Sequence, residues 1–330
     1  MQFGVLQFFS WPERRVALET VYERALERIA IMDQTGYDAV WLAEHHFSSF
    51  SVCPSVHIMG TYVAARTKNL RIGTAVSLAA MYHPLRLAEE VALLDVLSGG
   101  RVNWGAGRGF DPTEFRAFGV EPEESASRFR ENVEIVLQAW TQDRITYHGS
   151  HYDFEGVEVL PKPLQRPTPP VWVAATSPPA MEWAAEQGHT ILMDPHSSHA
   201  EIGRKREQYR QTLEAHGHSI EGRTIPVARL LALAETHEAA VEVARAGARG
   251  RVGSYGAPLK KALGVSGETH EVDRVEHYVN DVILVGTPDE VVDQLTELQE
   301  EISLDYLLCA PLSHETFLLL TERVLPRLAS

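Results

Sequence analysis

"DRITYHGSHYDFEGVEVLPKPLQRPTPP", residues 143–170, interrupts a regular alternation of apolar runs and helical stretches, and its reading decides the fold. Thr, Tyr and His alternate around Gly149 and Ser150 as they do in a hairpin, and a proline-rich connector follows. Read as a linker, the stretch would separate two domains. Read as a hairpin insertion near 144–160, it leaves a single domain over 1–330. The sequence beyond it favours the insertion: "PVWVAA", a helical stretch at 180–187 and "HTILMD" resume the strand–helix rhythm at once.

Working outward, "FGVLQFF", "AVWLA", "LRIGTAV" and "RVNWGAG" read as strands before the interruption, and "IPVARLLALAE" and "DYLLCAPL" as strands after it. Between the first two, Val21, Ala25, Ile29 and Met32 recur at helical spacing up to a stop at Gly36. Counting strand–helix pairs gives eight, which predicts an α/β TIM (β/α)8 barrel with insertions rather than a doubly wound sheet. Residues 247–282 contain glycines and charges without a clear period and are expected to form a mobile loop.

Composition narrows the partners. The 330 residues carry a net charge of -15 without a basic block, which argues against nucleic acid or an anionic membrane and leaves a small-molecule substrate. Cys53 and Cys309 stand far apart in no metal-binding or redox spacing, and no run is long and apolar enough to span a bilayer. With no leader pattern at Met1, a cytoplasmic location is expected.

In a TIM barrel the chemistry sits at the C-terminal strand ends. Those ends supply Glu44, His45 and His46 after strand two, Ala75 and Val76 after strand three, Gly107 and Arg108 after strand four, and Thr176 and Ser177 after strand five. "GAGRGF" places Gly105 and Gly107 as in a dinucleotide loop, but Phe110 stands where the third glycine belongs. The stretch either brings Arg108 to an anion or makes an ordinary tight turn. In "SASRFRENVEIVLQAW", Ser125 or Ser127 is expected to cap a helix whose first turn holds Arg128, a cation disfavoured there unless an anion is near. Thr176 and Ser177 likewise lead into a helix start that offers hydroxyls and free amides to a phosphate, or simply cap it. His45 and His46 point in different directions along a strand, so a metal would need ligands from elsewhere, and no metal site is expected. A histidine here can transfer protons, its tautomer fixed by Glu44 or His46; alternatively both are core histidines satisfied by carbonyls.

"GYDAVWLAEHHFSSF", "LRIGTAVSLAAMYHPLRLAEEVALLDVLSGGRVNWGAGRG", "EFRAFGV" and "PPVWVAATSPPAMEWAAEQG" resemble the bacterial luciferase family of flavin-dependent monooxygenases, nearly continuously to about residue 193 and again at "VGTPDEVVDQL". The resemblance implies reduced FMN as cofactor, dioxygen as co-substrate and a flavin hydroperoxide. It implies a separate flavin reductase and an aldehyde, ketone or similar substrate. His45 matches the catalytic histidine, with Glu44 and Glu89 matching acidic residues near the site. Arg108 and Arg128 match arginines at the flavin phosphate, Thr176 and Ser177 the phosphate-binding stretch, and Ala75 and Val76 a pair behind the isoalloxazine that is often a non-proline cis peptide. Residues 247–282 match a loop that closes over the flavin. A homodimer is expected. Gly107 stands where the light-emitting α subunit has a reactive cysteine, and Thr176 replaces a glutamate, so light emission is not expected. Two other readings remain on the same fold: a deazaflavin-dependent oxidoreductase and a flavin-binding subunit without chemistry.

Overall fold

The computed structural model describes residues 1–262 and 271–329. Its strands are β1 (Gln2–Gln7), β2 (Ala39–Leu42), β3 (Arg71–Thr74), β4 (Ser77–Leu78), β5 (Val102–Gly107) and, as a hairpin, β6 (Ile145–His148) with β7 (Asp153–Val157). They continue as β8 (Val171–Ala174), β9 (Thr190–Leu192), β10 (Pro226–Leu233), β11 (Leu284–Gly286) and β12 (Tyr306–Pro311). Helices fill most of the connections: α1 (Leu18–Gln34), α2 (Val56–Ala64), α3 (Pro84–Leu97), α4 (Pro112–Phe118), α5 (Ser125–Thr141), α6 (Pro178–Glu186) and α7 (His199–Ala215). After these come α8 (His237–Ala262), α9 (Glu271–His277) and α10 (Pro288–Ile302). The class is α/β and TIM-barrel-like, as the alternation predicts.

Contacts divide the chain into two compact units. One comprises Gln7–Gln34 and Ala39–Ala174, and so contains the whole interruption at 143–170. In it β2, β3, β5 and β8 are hydrogen-bonded in that order, all parallel, with Val40 opposite Ile72 and Trp104 opposite Val171. These strands are apolar on both faces because both are covered, and every residue of β2 and β5 is buried. α1 buries the stripe read from its spacing, Val21, Ala25, Ile29 and Met32. Gly73 is required by packing: a Cβ there would run into the ring of Trp41, which is fully buried.

One side chain shapes the site from this core. β3 pairs with β5 only as far as Gly73 opposite Asn103, and then Thr74 takes over with its side chain. Its Oγ1 donates to the Gly105 carbonyl at 2.7 Å and accepts the Gly105 N–H at 2.9 Å. The buried backbone groups thus keep partners while the chain leaves the ladder. The strand expected to continue through Val76 therefore ends at Thr74, and the next peptide, Ala75-Val76, is cis.

The other unit comprises Met1–Leu6, Thr35–Asp38 and Ala175–Ser330. Its sheet runs β1, β12, β10, β11, again parallel, and a bridge from Met193 to Val227 follows the end of β9. β10 is buried along its whole length. The expected loop at 247–282 lies partly outside the described residues; its described parts are helical, as α8 to Ala262, α9, and a π-turn at Tyr278–Val282. The buried residues at and just before its start on α8, Ala240, Ala244 and Ala248, are small, so they leave little apolar periodicity to read.

Candidate active site

All the distances that follow lie within the unit holding β2 and β5. Beyond β2 the chain continues as Glu44, His45 and His46, and the two rings meet different neighbours. His45 sits between aromatic neighbours: Phe8 is nearly parallel at 6.2 Å between centroids, and Phe50 is edge-on at 5.2 Å. His46 packs edge-on against Phe118 at 4.7 Å. Both histidine side chains are about nine-tenths buried, at 12% and 11% exposure.

The carboxylates are divided between them in a way the sequence did not suggest. Glu44, almost fully buried, takes His46 Nε2 at 3.0 Å and the Tyr82 hydroxyl at 2.9 Å on one oxygen, and the Leu78 N–H at 3.3 Å on the other. The acid beside His45 is instead Glu114, on the first turn of α4. Its Oε1 lies 3.7 Å from His45 Nδ1 and accepts the His46 N–H at 2.9 Å. α4 begins where Asp111 accepts the Thr113 N–H and Pro112 opens the first turn, a start readable from "DPTE". Glu89, expected near the site, is exposed on α3; its neighbour Glu90 points inward and reaches Nδ1 of His57 at 3.0 Å.

Burial, reinforced by the Glu44 charge, pushes the Cys53 thiol up to about 12, so it stays protonated and is no nucleophile. The same two causes, burial first, hold the Tyr82 phenol well above its usual range and keep it a donor to Glu44.

Val76 lies against β5, where a Cβ on Gly107 would meet its side chain, and Ala75 donates its N–H to the Leu42 carbonyl at the end of β2 at 2.7 Å. A flat ligand could rest on this surface. Next along the chain, Arg108 is exposed, has no carboxylate partner among the described residues, and makes one long hydrogen bond, 3.4 Å, to Ser125 Oγ at the start of α5. Arg128 follows one turn later, but with a difference from expectation. The cap is Glu124, with Ser125 already the first helical residue, and Arg128 Nε pairs with Glu124 at 3.3 Å. Two cations at a helix N-terminus oppose the helix dipole, and among the described residues only Arg128 has a counter-ion, an arrangement suited to a phosphate.

Thr176 and Ser177 belong to the other unit. Ser177 caps α6 without a side-chain capping bond, leaving its hydroxyl uncommitted to the helix. The free amides expected beside it are corrected by two residues: Pro178 and Pro179 open the helix and have no N–H, and the Ala180 N–H is bonded to the Ser177 carbonyl. Among the described residues no three His, Cys, Asp or Glu side chains cluster as metal ligands would.

The sequence profile of luciferase-like monooxygenases matches residues 1–303. A crystal structure of the monooxygenase RslO1 from Streptomyces bottropensis has 29% sequence identity and a TM-score of 0.80, covering 99% of each chain. The oxygenase component of a flavin-dependent trigonelline monooxygenase from Acinetobacter baylyi is 30% identical over 197 residues, 59% of this chain and 54% of that protein. An alkanal monooxygenase alpha chain from Photorhabdus luminescens is 31% identical over 220 residues, 67% of this chain and 61% of that one. The chain spans about half the length of the curated relatives it matches. With the profile covering most of its length, the chain belongs to the luciferase-like monooxygenase family.

Proposed function

We propose that the protein is a monooxygenase that uses reduced FMN and dioxygen to oxygenate a small organic substrate, with reduced flavin supplied by a separate reductase. The observation that carries this reading is the grouping, at the ends of β2, β3 and β5, of a nearly buried histidine, the Ala75-Val76 pair and an arginine with no carboxylate partner among the described residues. When bound, the flavin supplies the activation of dioxygen. Arg108 holds the phosphate with Arg128 close by on α5, while Thr176 and Ser177 are assigned to it on family resemblance alone. Ala75 and Val76 back the ring system. His45 holds or moves a proton at Nε2, its other nitrogen facing Glu114. Glu44 orients His46 and Tyr82. The aromatic walls Phe8 and Phe50 exclude water from His45.

The separate reductase is supported by the Acinetobacter relative, which is named an oxygenase component. A homodimer through α2 and α3 is supported by the apolar side chains they expose, Ile58 and Tyr62 on one and Leu93, Val96 and Leu97 on the other. Two buried free thiols, Cys53 and Cys309, suit a reducing cytoplasm.

The experiment is stopped-flow mixing of photoreduced FMN-loaded protein with oxygenated buffer. A transient absorbing species, distinct from both reduced and oxidised flavin and absent with free FMN, is expected. Reoxidation in one step at the rate of free flavin would overturn the proposal, as would tight binding of a deazaflavin in place of FMN.

A further inference from the structure

Ser77 follows Val76 directly, and its side chain is fully buried. Its Oγ lies 2.9 Å from Nε2 of His57 on α2. The opposite nitrogen of that ring, Nδ1, lies 3.0 Å from Glu90 Oε2 on α3, and Glu90 Oε1 in turn accepts Arg86 Nε at 2.6 Å. An ionised carboxylate only accepts, so Nδ1 carries the proton, and in the neutral ring Nε2 accepts the Ser77 hydroxyl. The order is that of a serine–histidine–acid triad, yet a serine with no exposed surface offers its oxygen to no substrate. What the three residues can do is hold a position.

The position is that of the segment behind the proposed flavin ring. Ser77 pairs with Ala106 and Leu78 with Gly107 along β5, and Glu44 grips the same short strand through the Leu78 N–H. His57, on α2, is therefore a further side-chain grip on this strand. An apolar pair would fill the same space without the desolvation that a buried serine and imidazole incur. The polar arrangement adds direction, since a hydrogen bond at 2.9 Å fixes Ser77 more narrowly than packing does.

We infer that His57, oriented by Glu90, is a positioning residue for flavin: through Ser77 it sets where Ala75 and Val76 meet the ring. The inference rests on the flavin reading given above.

Binding of FMN and of riboflavin, followed by flavin fluorescence, tests it together with melting temperature in wild type, Ser77→Ala, His57→Leu, His57→Gln and the Ser77→Ala/His57→Leu double variant. Each of the first two variants is expected to weaken both flavins about tenfold, with the FMN-to-riboflavin ratio unchanged because the phosphate end is untouched. The double variant should bind no worse than either single, since both remove one link. His57→Gln, with a donor and an acceptor, should recover most of the loss. Wild-type affinity in Ser77→Ala overturns the inference, as do additive losses in the double variant or a His57→Gln no better than His57→Leu. Ser77→Ala removes a single oxygen and decides the matter alone should His57→Leu not fold. A wild type that binds neither flavin refutes the flavin reading itself, and is recognised before any variant is compared.

Discussion

Glu114 Oε1 lies 3.7 Å from His45 Nδ1, while the same oxygen is held at 2.9 Å by the backbone N–H of His46. The longer distance exceeds a hydrogen bond, so the carboxylate is anchored by one histidine's backbone and faces the other's ring without tying it. General acid–base groups contribute about 10² to 10⁴ in rate. His45→Ala should lose turnover on that scale while keeping FMN affinity and fold. Glu114→Gln retains an oxygen for the His46 N–H and should stay folded with a smaller loss. Substrate oxygenation by His45→Ala at the wild-type rate would remove the assignment.

Glu44 presents the opposite balance. Three donors converge on it, from His46, Tyr82 and Leu78, and Glu44→Ala leaves them all without an acceptor. At about 1 to 3 kcal/mol for each buried group left unpaired, the loss should be at least roughly 3 kcal/mol. The expected reading is a melting temperature lowered by several degrees, more than in His45→Ala or in His46→Ala, which deletes only one of the three donors. Equal melting of Glu44→Ala and wild type would show that the carboxylate is not structural.

The fold was legible wherever one element carries its own signal. The stripe from Val21 to Met32 fixes α1, and β2 and β5 read as strands because parallel strands covered on both faces are apolar throughout. The end of strand three is not legible, since nothing in the sequence marks Thr74 as the residue whose hydroxyl replaces the ladder. His45 and Arg108 are candidates legible in the sequence because strand ends in such a fold are where chemistry gathers. Glu114, His57 and Glu90 are not, because each works through a partner on another element: Glu114 is 68 residues from His46, and Glu90 is 33 from His57. Spacing along one helix or strand does not encode such pairs.

Gly107 offers a test of the surface under the proposed ring. An added Cβ would collide with the Val76 side chain and lie 3.5 Å from Ala174 Cβ, so Val76 must shift toward the ligand. Gly107→Ala and Gly107→Cys are therefore expected to weaken FMN while the protein stays folded, and the affinity loss should exceed any change in melting. An FMN dissociation constant unaltered in Gly107→Ala would place the flavin elsewhere.

Stability should fall with acid, through His189. Burial chiefly, with the nearby Arg223 and His218 charges, pushes its imidazole down to about 4 from the ordinary 6.5. Above 6.5 neither the folded nor the unfolded chain protonates this ring. Between 6.5 and 4 only the unfolded chain takes up the proton, so stability is lost as pH falls across that window, by at most about 3 kcal/mol at this residue. His199, also lowered to about 4 by burial and by Arg229, adds to the same slope. Melting temperature against pH should be flatter in His189→Gln than in wild type, and parallel curves would contradict the assignment.

Arg108 carries the choice between FMN and flavins without phosphate. It is exposed, lacks a carboxylate partner among the described residues, and makes one long hydrogen bond, to the Ser125 hydroxyl at 3.4 Å, whereas Arg128 already has Glu124 at 3.3 Å. A free cation gives a phosphate its full attraction; one already paired must share it. A charge-assisted hydrogen bond contributes about 1.5 to 3 kcal/mol, so wild type should prefer FMN over riboflavin by roughly ten- to a hundredfold. Arg108→Gln should erase most of that preference by weakening FMN alone, with riboflavin affinity held. Arg128→Gln should erase less. The preference should also shrink as salt rises, since an exposed guanidinium is screened over about 8 Å at physiological ionic strength. Titration of both flavins against the three proteins at two salt concentrations decides it: equal FMN and riboflavin affinities in wild type, or a preference that survives Arg108→Gln intact, would show that Arg108 does not bind the phosphate.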